Sequence, residues 1–184
     1  RFVDPQSPKE MLTPDSTVIS TQYHQLAIGG DIAAITGLCK ALFAMDDEAQ
    51  ASGRRPVLDI DFIEQHTHGF DAFEQRVRSY DWQILERRSG LSRTAMEAAA
   101  TAYASCQRVI VAYGMGITQH RHGVEAVQML INLLLLRGNM GKEGAGILPV
   151  RGHSNVQGQR TVGITEKAAK VPADNLRRQF GFEP

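Results

Sequence analysis

The sequence predicts an α/β domain, with helices in layers on both faces of a parallel sheet, and two observations carry that prediction. Arg108-Val-Ile-Val-Ala-Tyr113 is a continuous run of β-branched and apolar residues, of the kind found in parallel strands covered on both faces. It leads through Gly114-Met115-Gly116 into an apolar helical stretch, Gly123 to Arg137, so that strand, glycine turn and helix follow one another. The order implies a three-layer αβα arrangement.

Taken in order, residues 1–28 read as loop with short extended pieces. Pro5, Pro8 and Pro14 punctuate this region, and Ser16 to Ser20 has strand composition. A helix is predicted from Asp31 to about Met45, because Ile32, Ile35, Leu38, Leu42 and Met45 recur at spacings of three and four. Asp31 is placed to cap it. Asp46 to Pro56 has the composition of a surface loop. Short helices are expected at Asp61 to Glu64, Phe70 to Tyr80 and Asp81 to Arg88, with a turn at Gly69. Ser92 should cap a further helix running to about Ala104. The helix over 123–137 is apolar on nearly every side and should be buried, ending at Gly138-Asn139. Gly141 to Gly158 reads as a glycine-rich loop, and a last helix is expected near Asp174 to Phe180. Two segments follow from this, 1–146 and 147–184.

Composition excludes several function classes. Lys plus Arg equals Asp plus Glu at 20 each, so no bulk charge draws the chain to nucleic acid or an acidic membrane. Apolar residues at 42% and charged residues at 22% suit a folded globular chain. Met129 to Leu136 is too short to span a bilayer. No signal peptide is visible, and the reading is cytoplasmic, with export of a longer parent left open. Cys39 and Cys106 form no C-x-x-C pair, so neither a disulfide framework nor an iron–sulfur cluster can be read here. His66 with His68, and His120 with His122, are ligand types without a cysteine or carboxylate partner, and no metal ligand is assigned. A P-loop and a G-x-S-x-G element are both missing from the sequence.

Three segments can carry chemistry. In Tyr113-Gly-Met-Gly-Ile-Thr-Gln-His120, Gly114 and Gly116 would let backbone approach a ligand beyond the carboxyl end of a strand. Position 119 is Gln where a dinucleotide fingerprint needs its third glycine, which argues against NAD. Gln119 both donates and accepts, as a heterocycle edge requires, and His120 stands beside it; a solvated loop is the plain alternative. The second segment is Pro149-Val-Arg-Gly-His-Ser-Asn-Val-Gln-Gly158. There Arg151 could fork a carboxylate or phosphate, and Gly152, His153 and Asn155 add close backbone and hydrogen-bonding groups. An exposed loop without a ligand would look the same. The third is Gly29-Gly30-Asp31, where Asp31 is either only a cap or a carboxylate accepting two N–H bonds from guanine.

Met115-Gly-Ile-Thr-Gln-His120, Leu136-Arg-Gly-Asn-Met-Gly-Lys142, Gly144-Ala-Gly146, Pro149-Val-Arg-Gly152 and Asn155-Val-Gln-Gly158 occur in fixed order. In that order the chain resembles the molybdopterin oxidoreductase superfamily, in its formate dehydrogenase alpha-subunit branch, over about residues 1–165. The upstream Gly29-Gly-Asp31, Asp61 to Glu64, His66 to Phe70 and Trp82, and the downstream Arg160-Thr-Val-Gly-Ile164, fall where that branch has them.

The resemblance implies a formate dehydrogenase/DMSO reductase-like domain. Residues 1–146 would bind molybdopterin guanine dinucleotide, and 147–184 would hold an active-site loop and an extension. It implies a bis(molybdopterin guanine dinucleotide) centre with molybdenum or tungsten in a longer parent, and a fragment inactive alone. Gly29, Gly30 and Asp31 would lie at the guanine. Gly114, Met115, Gly116, Gln119 and His120 would line the pterin, with Gly152 and Asn155 also at the cofactor. Arg151 would be the active-site arginine orienting formate or another small anion. His153 would sit beside it, where true formate dehydrogenases often have glutamine. The metal ligand, any iron–sulfur cluster and the electron-transfer partner would lie outside this chain. The competing reading is a non-redox α/β nucleotide-binding or interaction module that has lost the metal centre.

Overall fold

The computed structural model describes residues 4–13, 17–167 and 171–181. These divide into two units, Arg1–Leu148 and Pro149–Pro184, each described separately below.

The first unit is built around one long helix. After a short α1 (Pro8–Leu12), α2 spans Asp31–Ala51. Packed against α2 are α4 (Phe70–Ser79), α5 (Trp82–Ser89), α6 (Arg93–Ser105) and α8 (Gly123–Leu135), while α3 (Ile60–His66) and α7 (Met115–Thr118) complete the set. The central place of α2 follows from its composition: Ala33, Ala34, Gly37, Cys39 and Ala41 are small, so neighbours can approach on several sides. At Gly37 a Cβ would lie 2.3 Å from the Sδ of fully buried Met96, so the missing side chain is what lets α6 close on α2. Phe43, with no exposed surface, meets Phe70 and Phe73 edge-on at 6.2 and 6.3 Å between ring centroids. Burying one such ring contributes about 2–3 kcal/mol.

The strands are β1 (Ile110–Tyr113) and β2 (Gly146–Pro149), paired in a small parallel sheet. Helix α8 is the crossover between them, the connection a parallel pair needs. Buried Asn139 ties this region together. Its Oδ1 accepts from Val109 N at 3.2 Å, and its Nδ2 donates at 3.1 Å to the hydroxyl of Tyr103. That hydroxyl donates in turn to Leu133 O at 2.8 Å. The start of β1 is thereby anchored to α6 and α8. The whole is an incomplete α/β domain, as its residue patterning predicts.

In the second unit α9 (Val156–Thr161) and α10 (Ala173–Phe180) are short helices with no buried residue. Arg160 pairs with Glu166 at 3.2 Å, an exposed contact.

Several expectations need correction. The loop expected from Asp46 is helical to Ala51, and Asp46 is only 3% exposed. Its Oδ1 accepts from Val57 N at 2.6 Å and Leu58 N at 2.9 Å, so this charge is an internal anchor. Residues 1–28, expected as loop with short extended pieces, include helix α1, which Ser7 caps with Pro8 in the first turn. Of the expected strand at Ser16 to Ser20, Ser16 lies outside the described residues, and the rest is irregular apart from an isolated bridge at Thr17. The stretch Gly141 to Gly158, expected as loop, contains β2 and the start of α9. Strand β1 is not covered on both faces: it alternates exposed and half-buried, with Ile110 59% exposed, so among the described residues only one face packs on the core. Helix α8 likewise leaves Val124 exposed.

Candidate functional site

Backbone turns hold the entrance to α2. Gly29 adopts φ +74°, the left-handed conformation that favours glycine. Gly30 N donates to Ala27 O at 2.9 Å, and Ala27 N to Ser89 O at 2.8 Å. A Cβ at Gly30 would lie 2.8 Å from Arg88 O and 2.9 Å from Ser89 Cα. Gly30 is therefore needed for backbone passing the end of α5. It is also the N-cap of α2, without a side-chain cap, which makes Asp31 the first helical residue rather than the cap expected for it. With no capping bond to make, the Asp31 carboxylate is left for another partner.

The second segment leaves β1 at Tyr113. Gly114 is extended, α7 makes a single turn, and Gln119 N donates to Met115 O at 2.9 Å. A Cβ at Gly114 or Gly116 would meet nothing within 4 Å, so both backbones border open space. Met115 is 47% exposed, with Gln119 Nε2 at 3.5 Å from its sulfur. Gly123, not among the expected site residues, sets the next turn: a Cβ there would lie 2.6 Å from Thr118 O. Only this close approach lets α7 fold back on α8, and a lone glycine at a helix start gives little sequence signal.

These constraints deliver His120 to Asp31. His120 Nε2 lies 4.0 Å from Asp31 Oδ2, and both side chains are largely shielded, at 22% and 16% exposure. The backbone N–H of His122 donates to His120 Nδ1 at 3.2 Å. With Nδ1 accepting, the neutral ring carries its proton on Nε2. That nitrogen is buried and has no hydrogen-bond partner. Arg137 Nε shares this condition among the described residues. The Arg137 terminal nitrogens, however, donate to Val57 O and Cys106 O, so its guanidinium is committed to holding the fold.

Arg151, Gly152, His153 and Asn155 belong to the second unit and are exposed. Asn155 stands at φ +60° before α9, and a Cβ at Gly158 would lie 2.0 Å from its Oδ1. Gly158 thus makes room for the Asn155 side chain.

Two open cavities lie elsewhere in the first unit. The larger, about 530 Å³, is lined by residues including Arg55, Asp59, Asp61, Arg137 and Lys142. Three of its polar groups hold structure: Asp59 caps α3, Lys142 Nζ donates to Gln107 O at 2.8 Å, and Arg137 donates to Val57 O and Cys106 O. The smaller, about 310 Å³, lies among His66, His68, Phe70, Phe73 and Asn132. Neither contains a residue expected at the cofactor. Among the described residues no three His, Cys, Asp or Glu side chains converge as a metal-holding group. Nor is any described helix long and apolar enough to cross a membrane.

Residues 10–180 match the family model for molybdopterin oxidoreductase. The chain belongs to the molybdopterin oxidoreductase family. It is 52% identical over its full length to Protein YdeP of Escherichia coli O6:H1, of which it spans 24%. It is 30% identical over 85% of its length to the alpha subunit of the F420-dependent formate dehydrogenase of Methanocaldococcus jannaschii, covering 21% of that protein. Formate dehydrogenase H of Escherichia coli K12 matches 57% of the chain at 39% identity, over 15% of its own length. This family chain therefore spans about a quarter of the length of the first of these relatives.

Proposed function

We propose that the chain supplies part of the pocket for a bis(molybdopterin guanine dinucleotide) cofactor in a larger, formate dehydrogenase-like oxidoreductase. The observation that carries this reading is the juxtaposition of Asp31 and His120, with a buried ring nitrogen left unpartnered beside a carboxylate released from capping. Buried polar groups are paired in native proteins, so an orphan of this kind points to a missing ligand. The open backbones at Gly114 and Gly116 are a second fit, since a flat heterocycle could lie against them without meeting a side chain.

On this reading the bound metallopterin, with molybdenum or tungsten, supplies the two-electron chemistry. The chain's own residues bind and orient. Asp31 accepts N–H bonds from the guanine, next to the turn of Gly29 and Gly30. Met115 and Gln119 line the ring system beside Gly114 and Gly116, while for Gly152 and Asn155 the family resemblance alone supports a role at the cofactor. Arg151 holds a small anionic substrate through its planar fork of donors, with His153 two residues on. Electrons leave through a partner that this chain does not contribute.

Metal analysis of the full-length parent, produced in cells competent for the cofactor, tests the proposal. Molybdenum or tungsten near one atom per chain is expected; neither metal in a folded protein refutes it. Arg151→Lys in the same protein should keep the metal and lose turnover.

A further inference from the structure

The unpartnered Nε2 of His120 has a use that the carboxylate alone cannot fill. We infer that His120 and Asp31 together read the hydrogen-bonding edge of the guanine base, His120 donating to O6 while Asp31 accepts from N1–H and the 2-amino group. The inference rests on the assignment of Asp31 to guanine and extends it to His120, which the resemblance puts at the pterin but the structure sets beside Asp31, as a residue that sets base specificity.

Guanine presents one acceptor and two donors in a row along this edge. The complement is one donor and two acceptors. A carboxylate supplies both acceptors and lacks the donor. His120 supplies it, because the His122 backbone N–H occupies Nδ1 and leaves the ring proton on Nε2. The 4.0 Å between Nε2 and Asp31 Oδ2 is too long for a hydrogen bond between them. It is short enough for both atoms to address neighbouring positions on one ring. The donor is also held firmly: His122 caps α8, and Gly123 packs that helix start against Thr118. Adenine would set its 6-amino group against the Nε2 proton and an unprotonated ring nitrogen against the carboxylate. Cytosine would set its 4-amino group against the Nε2 proton and two acceptors against the carboxylate. A site built this way rejects both bases, since each leaves buried groups unpaired.

The test uses the full-length parent purified without cofactor, titrated calorimetrically with GDP and with 6-thio-GDP. The thio analogue keeps both guanine donors and weakens only the acceptor at position 6. Wild-type protein should bind GDP roughly five- to tenfold more tightly than the analogue, the contribution of one buried hydrogen bond. His120→Ala should lose that preference, and His120→Gln, whose amide can donate, should retain it. If His120→Ala fails to fold, His120→Met removes the donor while filling the space. Asp31→Asn should weaken both ligands together. Preference retained in the variants without a donor overturns the role of His120 while leaving the guanine assignment standing. Asp31→Asn that binds both ligands like wild type overturns the guanine assignment itself, as does a wild-type protein that takes neither nucleotide.

Discussion

Replacing Asp46 removes an anchor that holds the exit from α2 against the segment leading to α3. The carboxylate accepts three hydrogen bonds: from Val57 N at 2.6 Å, from Leu58 N at 2.9 Å and from Gln50 Nε2 at 2.6 Å. Asp46→Ala leaves the Leu58 amide buried and the Val57 amide half-buried without an acceptor. At about 1–3 kcal/mol for each of the two stranded groups, the cost is roughly 2–6 kcal/mol. Asp46→Asn keeps an oxygen facing the two amides, and Gln50 can turn its own amide to match. That variant should lose only about 1 kcal/mol. The difference between the two, about 1 kcal/mol or more, isolates the backbone anchor from loss of charge. Urea denaturation of the chain gives the two stabilities, and amide hydrogen exchange at Val57 and Leu58 shows whether the loss is local. Equal effects of Ala and Asn, or an alanine variant within 0.5 kcal/mol of wild type, would refute the reasoning.

Three further outcomes are expected. Burial pushes the Tyr103 phenol up from 10.0 to about 12. The folded state therefore holds a proton that the unfolded chain gives up near pH 10. Its stabilisation is complete below pH 10 and lost as pH rises to about 12, by roughly 2–3 kcal/mol, and Tyr103→Phe should flatten that part of a stability–pH curve. Desolvation likewise pushes the fully buried Cys39 thiol up to about 12, so iodoacetamide on the native chain should label exposed Cys106 and spare Cys39 until denaturant is added; mass spectrometry of peptides decides. Gly37→Ala should destabilise by about 1–2 kcal/mol through its clash with Met96, yet become neutral or stabilising in a Met96→Ala background, where helix propensity alone remains; a denaturation cycle that shows no such coupling would remove the clash as its cause.

What could be read from the residues alone depended on how local the cause was. Ser92, Asp81 and the spacing of apolar residues in α2 act within a turn or two: Ser92 and Asp81 cap their helices, while α2 starts at Asp31 as its spacing predicts but has Gly30 as its cap and runs on to Ala51. Asp46 misleads because an acidic residue followed by polar and small neighbours has loop composition, whereas the backbone amides it anchors lie eleven and twelve residues away. Strand β2 was hidden for a related reason: Gly146 and Pro149 are poor strand residues, and only pairing with β1 makes this segment extended. At the candidate site, Gly29, Asp31, Gly114, Gly116 and Gln119 are proposed from their place next to a strand or helix, and the structure does put each of them at such a place. The meeting of Asp31 with His120, 89 positions apart in the chain, was not, because it depends on how α7 folds back at Gly123. Sequence order names the residues; only packing selects the pair.

The central claim is that Asp31 and its neighbours hold the guanine end of a pterin dinucleotide. Acid hydrolysis of the purified full-length parent, with chromatographic identification of the nucleotide released, tests it most directly. The account predicts close to two equivalents of GMP per wild-type chain and a marked loss of GMP in Asp31→Asn. Release of a different nucleotide, or of none from a folded wild-type protein, would contradict it.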